Sequence, residues 1–248
     1  MAQIHIGSFL AKKINSHGAG ALKSHNQPAP PIKRIVKLNS NKIILDLCGG
    51  SGSWVKPYRD AGYDVRTITL PENDVRIYIP PKNVYGVVAA PPCESFSNAR
   101  RGHKIINQSM DVETGWEIVN ACLRIIKECN PVFWALENPA AGELKQYLGE
   151  PTMVFQPYEF GDGWAKKTAL WGNFNIPKKI YCAKNRPVAL PGLYIRPGRG
   201  YPSLAFQHKS AIKHIPQFAK FADYIKSDYD IRSITPPGFA KAFFDANQ

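Results

Sequence analysis

Carboxylates are missing from two long stretches of this chain of 248 residues. Residues 1–40 hold six Lys/Arg and no Asp or Glu, and residues 163–222 hold eleven Lys/Arg and no acid. The net charge of +13 is therefore unevenly placed, and a surface of one sign over such a length repels cations and attracts polyanions. Nucleic acid is the partner this pattern favours. Cysteine is sparse too. Five residues, an odd number without CxxC spacing, argue against a disulfide framework and a zinc ribbon, so reduced thiols and no metal site are expected. No apolar run approaches the roughly 20 residues of a membrane span, and the amino terminus lacks a secretory core. No Arg precedes Arg34, which disfavours an organellar presequence. A soluble, cytoplasmic monomer is the expectation.

With 44% apolar residues the chain can bury a full core, in one domain with room for a small appended lobe. Its apolar runs are continuous where they are strongest. Ile43–Leu47, Tyr85–Ala90 and Pro131–Leu136 read as buried parallel strands, and Asp64–Leu70 as a further strand. Between them, Trp116, Val119, Cys122, Leu123 and Ile126 recur at helical spacing within 112–129. That alternation predicts an α/β fold with a mostly parallel sheet. Cys122 and Cys129 then become core residues of a crossover helix.

Each strong strand ends on residues able to do chemistry. The first runs into Asp46-Leu47-Cys48-Gly49-Gly50-Ser51-Gly52, whose glycines allow close approach of a ligand to the backbone. The next stops at Pro91-Pro92, because Pro cannot donate to a ladder, and so leaves Cys93 at a carboxyl edge where ligands of open α/β sheets bind. A thiol there is placed to be a nucleophile; a small buried Cys capping a core strand is the structural alternative. The third ends on Glu137-Asn138-Pro139.

LDLCGGSGSW, AAPPCESFS and ALENP, in this order, resemble the cofactor, nucleophile and acid motifs of the cytosine-C5 DNA methyltransferases, particularly small phage-type members. The resemblance runs from about Lys42 to Trp171 and resumes near Thr235. It implies a Rossmann-like methyltransferase fold with a seven-stranded, mostly parallel sheet and a small basic lobe. Implied with it are S-adenosylmethionine as cofactor, DNA as substrate and a phage or bacterial setting. Residues 1–40 would be a basic arm or disordered tail, 41–172 the catalytic core, 173–225 a short target-recognition-like segment and 226–248 a helix returning to the core.

Carried over by position, the resemblance makes Cys93 the nucleophile, Glu137 the acid, and Asn138 the residue that fixes its loop. Asp46, Leu47, Cys48, Gly49, Gly50, Ser51, Gly52, Trp54, Glu72, Asp74 and Pro91 become cofactor residues, Asp74 at the adenine and Glu72 at the ribose. The basic RxR-like element of phage-type relatives is reduced to Ala165-Lys166-Lys167, which makes Lys167 the candidate contact to the base or its phosphate. Nucleic acid would meet Ser97, Arg100, Arg101 and Lys104 in the loop after Cys93, and Arg196 and Arg199 in the Pro-rich segment, whose aromatics could stack bases. Two alternatives stay open: an enzyme acting on RNA or a free pyrimidine nucleotide, and a catalytically decayed nucleic-acid-binding protein.

Overall fold

The computed structural model describes residues 39–96 and 112–248. The expected amino-terminal arm and the contacts at Ser97, Arg100, Arg101 and Lys104 lie outside them. Strand β1 is Ile43–Leu47, helix α1 Lys56–Asp60, β2 Asp64–Ile68, β3 Val84–Ala89, α2 Val112–Cys129 and β4 Phe133–Pro139. After these come α3 Lys145–Leu148, β5 Met153–Phe155, β6 Thr168–Asn173, α4 Lys209–Ile212, α5 Pro216–Ala219, α6 Asp228–Ser233 and α7 Pro237–Ala246.

One sheet forms, in the order β2-β1-β3-β4-β6-β5. The pairs β2-β1, β1-β3 and β3-β4 are parallel, while β6 runs antiparallel to both β4 and β5. Among the described residues the sheet has six strands against the seven expected. Val154-Phe155 and the alternating Tyr158-Glu159-Phe160 fit an outlying strand by sequence, but Tyr158-Glu159-Phe160 lies in a 3₁₀ turn over Pro157–Phe160. Pro157 opens that turn, and the Gln156 side chain and Glu159 cap it reciprocally, offering its backbone local bonds in place of a ladder.

The continuous apolar runs have a simple cause: both faces of the sheet are covered. Leu45, Leu47, Val87, Ala89 and Leu136 face α2, whose Ile118, Val119, Cys122, Ile125 and Ile126 lie on one side of the helix. Ile44, Val88, Phe133 and Ala135 face the opposite way, against Trp54, Val55 and Tyr58 around α1 and Phe239, Ala240 and Phe243 of α7. Alternate residues of each strand thus serve two cores. Each fully buried Ile or Leu contributes about 1.5–3 kcal/mol by leaving water, so α2 is held mainly by this face.

The Pro-rich segment builds a third core. Trp164, Leu193, Leu204, Ile212, Ile215, Phe218, Ile225, Ile231 and Ile234 are buried together, although their helices are only one or two turns long. Prolines and glycines prevent long elements but not collapse of well-spaced apolar side chains. The segment is also clamped to the rest of the chain: the Arg186 guanidinium sits 4.9 Å from the ring centre of Tyr158 and 5.3 Å from that of Tyr201, and Tyr201 donates to the Pro187 carbonyl at 3.1 Å.

Candidate active site

Strand order reverses between β1 and β3, and a crevice for ligands opens beyond the carboxyl ends at such a point. Hydrogen bonds tie these ends together. Cys48 donates to Ile68 at 2.8 Å, Ala90 donates to Leu47 at 2.9 Å, and the Asn138 amide donates to the Pro91 carbonyl at 3.1 Å. The Gly-rich turn, the Pro-Pro-Cys loop and the Glu-Asn-Pro strand end are therefore neighbours.

In the Gly-rich turn, φ is positive at Cys48, Gly50 and Gly52 (57°, 47° and 64°) and not at the residues between. Alternation of this kind turns successive peptide N–H groups toward one side, a concavity suited to a polar or anionic ligand group. Gly50 has a second reason to lack a side chain: a Cβ there would stand 2.6 Å from Tyr224 Oη. Beneath the turn Asp46 is almost wholly buried, accepts a long 3.5 Å bond from Thr67 Oγ1, and has its pKa pushed up to about 7 by burial, against the pull of Arg59. Leu47 gives its side chain to the α2 core, so only its backbone is available to a ligand. Trp54 is committed elsewhere, its ring centre 5.8 Å from Phe239 and 5.4 Å from Phe243. Cys48 packs against the α2 core and bonds Cys122, whose thiol is held well above its ordinary pKa by that bond and by burial. Ser51 and Gly49 complete the turn, half-buried. Glu72 is exposed, and Asp74 is paired with Arg76 at 2.6 Å, which lowers its pKa.

Pro91 is buried, and Cys93 is half-buried at the mouth of the loop it opens. Burial foremost, then the Glu137 carboxylate, push the Cys93 thiol above its ordinary pKa; Lys166 and Arg232 act the other way. The thiol is therefore the resting form. Ser95 and Phe96, just beyond, lie against α2 at Gly115, where any Cβ would collide with Ser95. Glu137 lies within β4, not past its end, paired with Leu170 of β6. Its Oε1 meets Lys166 Nζ at 3.3 Å, both side chains being 15% exposed.

Lys167 points away and is exposed, so the ammonium at the carboxylate belongs to its neighbour. The order Ala-Lys-Lys could not reveal this, because both lysines lie before β6 and the backbone N–H of Lys166 is held by the Gln156 side chain at 3.0 Å. Asn138 is fully buried, with Oδ1 lacking a hydrogen-bond partner. Arg196 stacks over Phe206 at 5.0 Å and Arg199 is exposed, both on the lobe.

No protein-family profile matches the chain. Over 157 residues it is 27% identical to a protein of Frog virus 3 (isolate Goorha) described as a "Probable DNA (cytosine-5)-methyltransferase", covering 54% of this chain and 73% of that protein. The similarity is to a cytosine-C5 DNA methyltransferase, the family the motifs resemble. A solved structure assigned to a DNA modification methyltransferase encoded within an Escherichia coli prophage superposes with a TM-score of 0.42 at 16% identity. That match covers 62% of this chain and spans 55% of the prophage protein. Among the described residues no helix is long and apolar enough to cross a membrane, and no group of three or more His, Cys, Asp or Glu could hold a metal ion.

Proposed function

We propose that the chain transfers a methyl group from S-adenosylmethionine to C5 of cytosine in DNA. One observation carries the reading: the Cys93 loop and Glu137 follow from paired strand ends, beside a turn whose φ values alternate in sign. The backbone of residues 47–52 would hold the cofactor, with Asp74 near the adenine once its bond to Arg76 is shared. The alternating positive φ values and the orphaned Oδ1 of Asn138 fit a polar group entering this crevice. S-adenosylmethionine, when bound there, supplies the electrophilic methyl group.

Cytosine C5 is too weak a nucleophile unaided. The Cys93 thiol would give its proton to the Glu137 carboxylate as its sulfur bonds C6; the electron pair moves toward C5, which takes up the methyl group, while charge at N3 is met by that proton, now returned from Glu137. Lys166 holds the carboxyl group in place for that transfer. Loss of the C5 proton then expels the thiolate and restores the ring. The target base must leave its stack to reach Cys93, so a flipped or single-stranded cytosine is the substrate form. The acid-free segment 163–222 supplies the phosphate contacts.

Incubation with tritiated S-adenosylmethionine and, in parallel, DNA, RNA and dCMP tests the proposal. Label in DNA at 5-methylcytosine is expected. Label in RNA or dCMP alone would move the substrate class, and label in none would sink the enzymatic reading.

A further inference from the structure

Two side chains from different parts of the chain flank the Gly-rich turn. A Cβ at Gly50 would stand 2.6 Å from Tyr224 Oη and 3.3 Å from its Cζ, and a Cβ at Gly52 would stand 3.5 Å from Arg59 Nη1. The phenol and the guanidinium therefore lie against glycines two residues apart, in a turn closed by the Gly52 N–H donating to the Gly49 carbonyl at 2.9 Å. Neither residue belongs to the three motifs. Tyr224 packs against the third core, and Arg59 stands in the last turn of α1.

Hydrogen bonding decides what the phenol presents. Ser233 Oγ donates its one proton to the Asp230 carbonyl at 2.8 Å, so Tyr224 is the donor in the 2.6 Å bond between the two hydroxyls. Burial foremost raises the Tyr224 pKa and keeps the phenol neutral. With its proton given to Ser233, Oη has only lone pairs left for the turn and can accept from an ammonium group. Arg59 offers the complement, an exposed guanidinium with donors and no acceptor. The Asp46 carboxyl beneath the turn also feels this charge, but burial keeps it largely protonated below about pH 7, which leaves the guanidinium to another anion. An acceptor at one glycine and a cation at the other match the ammonium and carboxylate of an α-amino acid.

We propose that Tyr224 and Arg59 bind the amino-acid end of the cofactor, Tyr224 accepting from its ammonium group and Arg59 donating to its carboxylate. This rests on S-adenosylmethionine being the cofactor, but its test reads binding, not methyl transfer. Calorimetry on the full-length protein without nucleic acid compares S-adenosylhomocysteine, its analogue lacking the amino group, its analogue lacking the carboxylate, and methylthioadenosine, which lacks both. Tyr224→Phe should weaken S-adenosylhomocysteine about fivefold, as loss of one hydrogen bond does, and leave the deaminated analogue unchanged. Arg59→Gln should weaken S-adenosylhomocysteine about three- to fivefold and leave the decarboxylated analogue unchanged. Methylthioadenosine should be indifferent to both substitutions. The wild type gives a check that no variant's folding can spoil: it should bind the deaminated and the decarboxylated analogue more weakly than S-adenosylhomocysteine. Equal binding of all these ligands by the wild type, or a variant that weakens all of them alike or none, overturns the proposal while the cofactor reading stands. A wild type that binds none of them removes the cofactor reading and this proposal with it.

Discussion

The ammonium of Lys166 stands 3.3 Å from Oε1 of Glu137, whereas Lys167, the next residue, is turned to solvent. In a site this enclosed the pair fixes the rotamer of the carboxylate more than it adds stability, since desolvation offsets much of the attraction. The account therefore predicts a catalytic and not a folding phenotype. Lys166→Ala should lower kcat about ten- to a hundredfold with cofactor affinity unchanged, and Lys167→Ala should leave kcat within about threefold. Single-turnover rates with calorimetric cofactor titration check both. Equal losses in the two variants would count against the assignment of Lys166.

Asp46 carries a prediction for stability against pH. Its folded pKa of about 7 lies above the ordinary carboxylate value, so the folded state holds this proton more tightly than the unfolded chain does. The contribution is complete below about pH 4 and is lost as pH rises through about 7. Asp46→Asn, which cannot ionise, should escape that loss. Relative to wild type it should gain stability between pH 4 and 8, on the order of 4 kcal/mol at most, by the conversion of pKa shift to free energy. Urea unfolding of both proteins at pH 4, 6 and 8 measures the difference; a gap that does not widen with pH contradicts it.

The lobe should bind nucleic acid through phosphates. Arg199 is exposed and Arg196 lies over the Phe206 face, so among the described residues both present charge to a polyanion. Replacing both with Gln should weaken binding at low salt and flatten the plot of log affinity against log salt by about one unit per lost phosphate contact. A slope equal to that of the wild type would place the backbone elsewhere.

Much of the sheet was legible from residues alone. Continuous apolar runs marked β1, β3 and β4 because both faces are covered, and helical spacing marked α2 from Val112 to Cys129 with its ends in place. Tyr158-Glu159-Phe160 misled because its apolar alternation fits a strand as well as a 3₁₀ turn, and only the Gln156–Glu159 cap decides between them. The small core around Trp164 and Phe218 was hidden by proline density, although its Leu and Ile spacing was present.

The candidate site was legible wherever chemistry sits at a strand end, as with Cys93 and Glu137. Partners supplied across the fold were not. Lys166 depends on a backbone bond to the Gln156 side chain at 3.0 Å, and Asp162 on a contact 76 residues away, where it accepts from Gly238 at 3.1 Å and Phe239 at 3.2 Å to cap α7. The signal that could have found Asp162 is the absence of any side-chain cap in the Thr-Pro-Pro start of α7.

The central claim is that Cys93 attacks the target ring, and a mechanism-based trap tests it most directly. DNA carrying 5-fluorocytosine is incubated with the protein and S-adenosylmethionine; fluorine at C5 cannot leave as a proton does, so the ring stays bound to sulfur. The account predicts a covalent complex resistant to denaturant, with peptide mass spectrometry placing the nucleotide on Cys93, and no complex with Cys93→Ser. Methylation of cytosine by a folded Cys93→Ser protein, or an adduct on another cysteine, would contradict it.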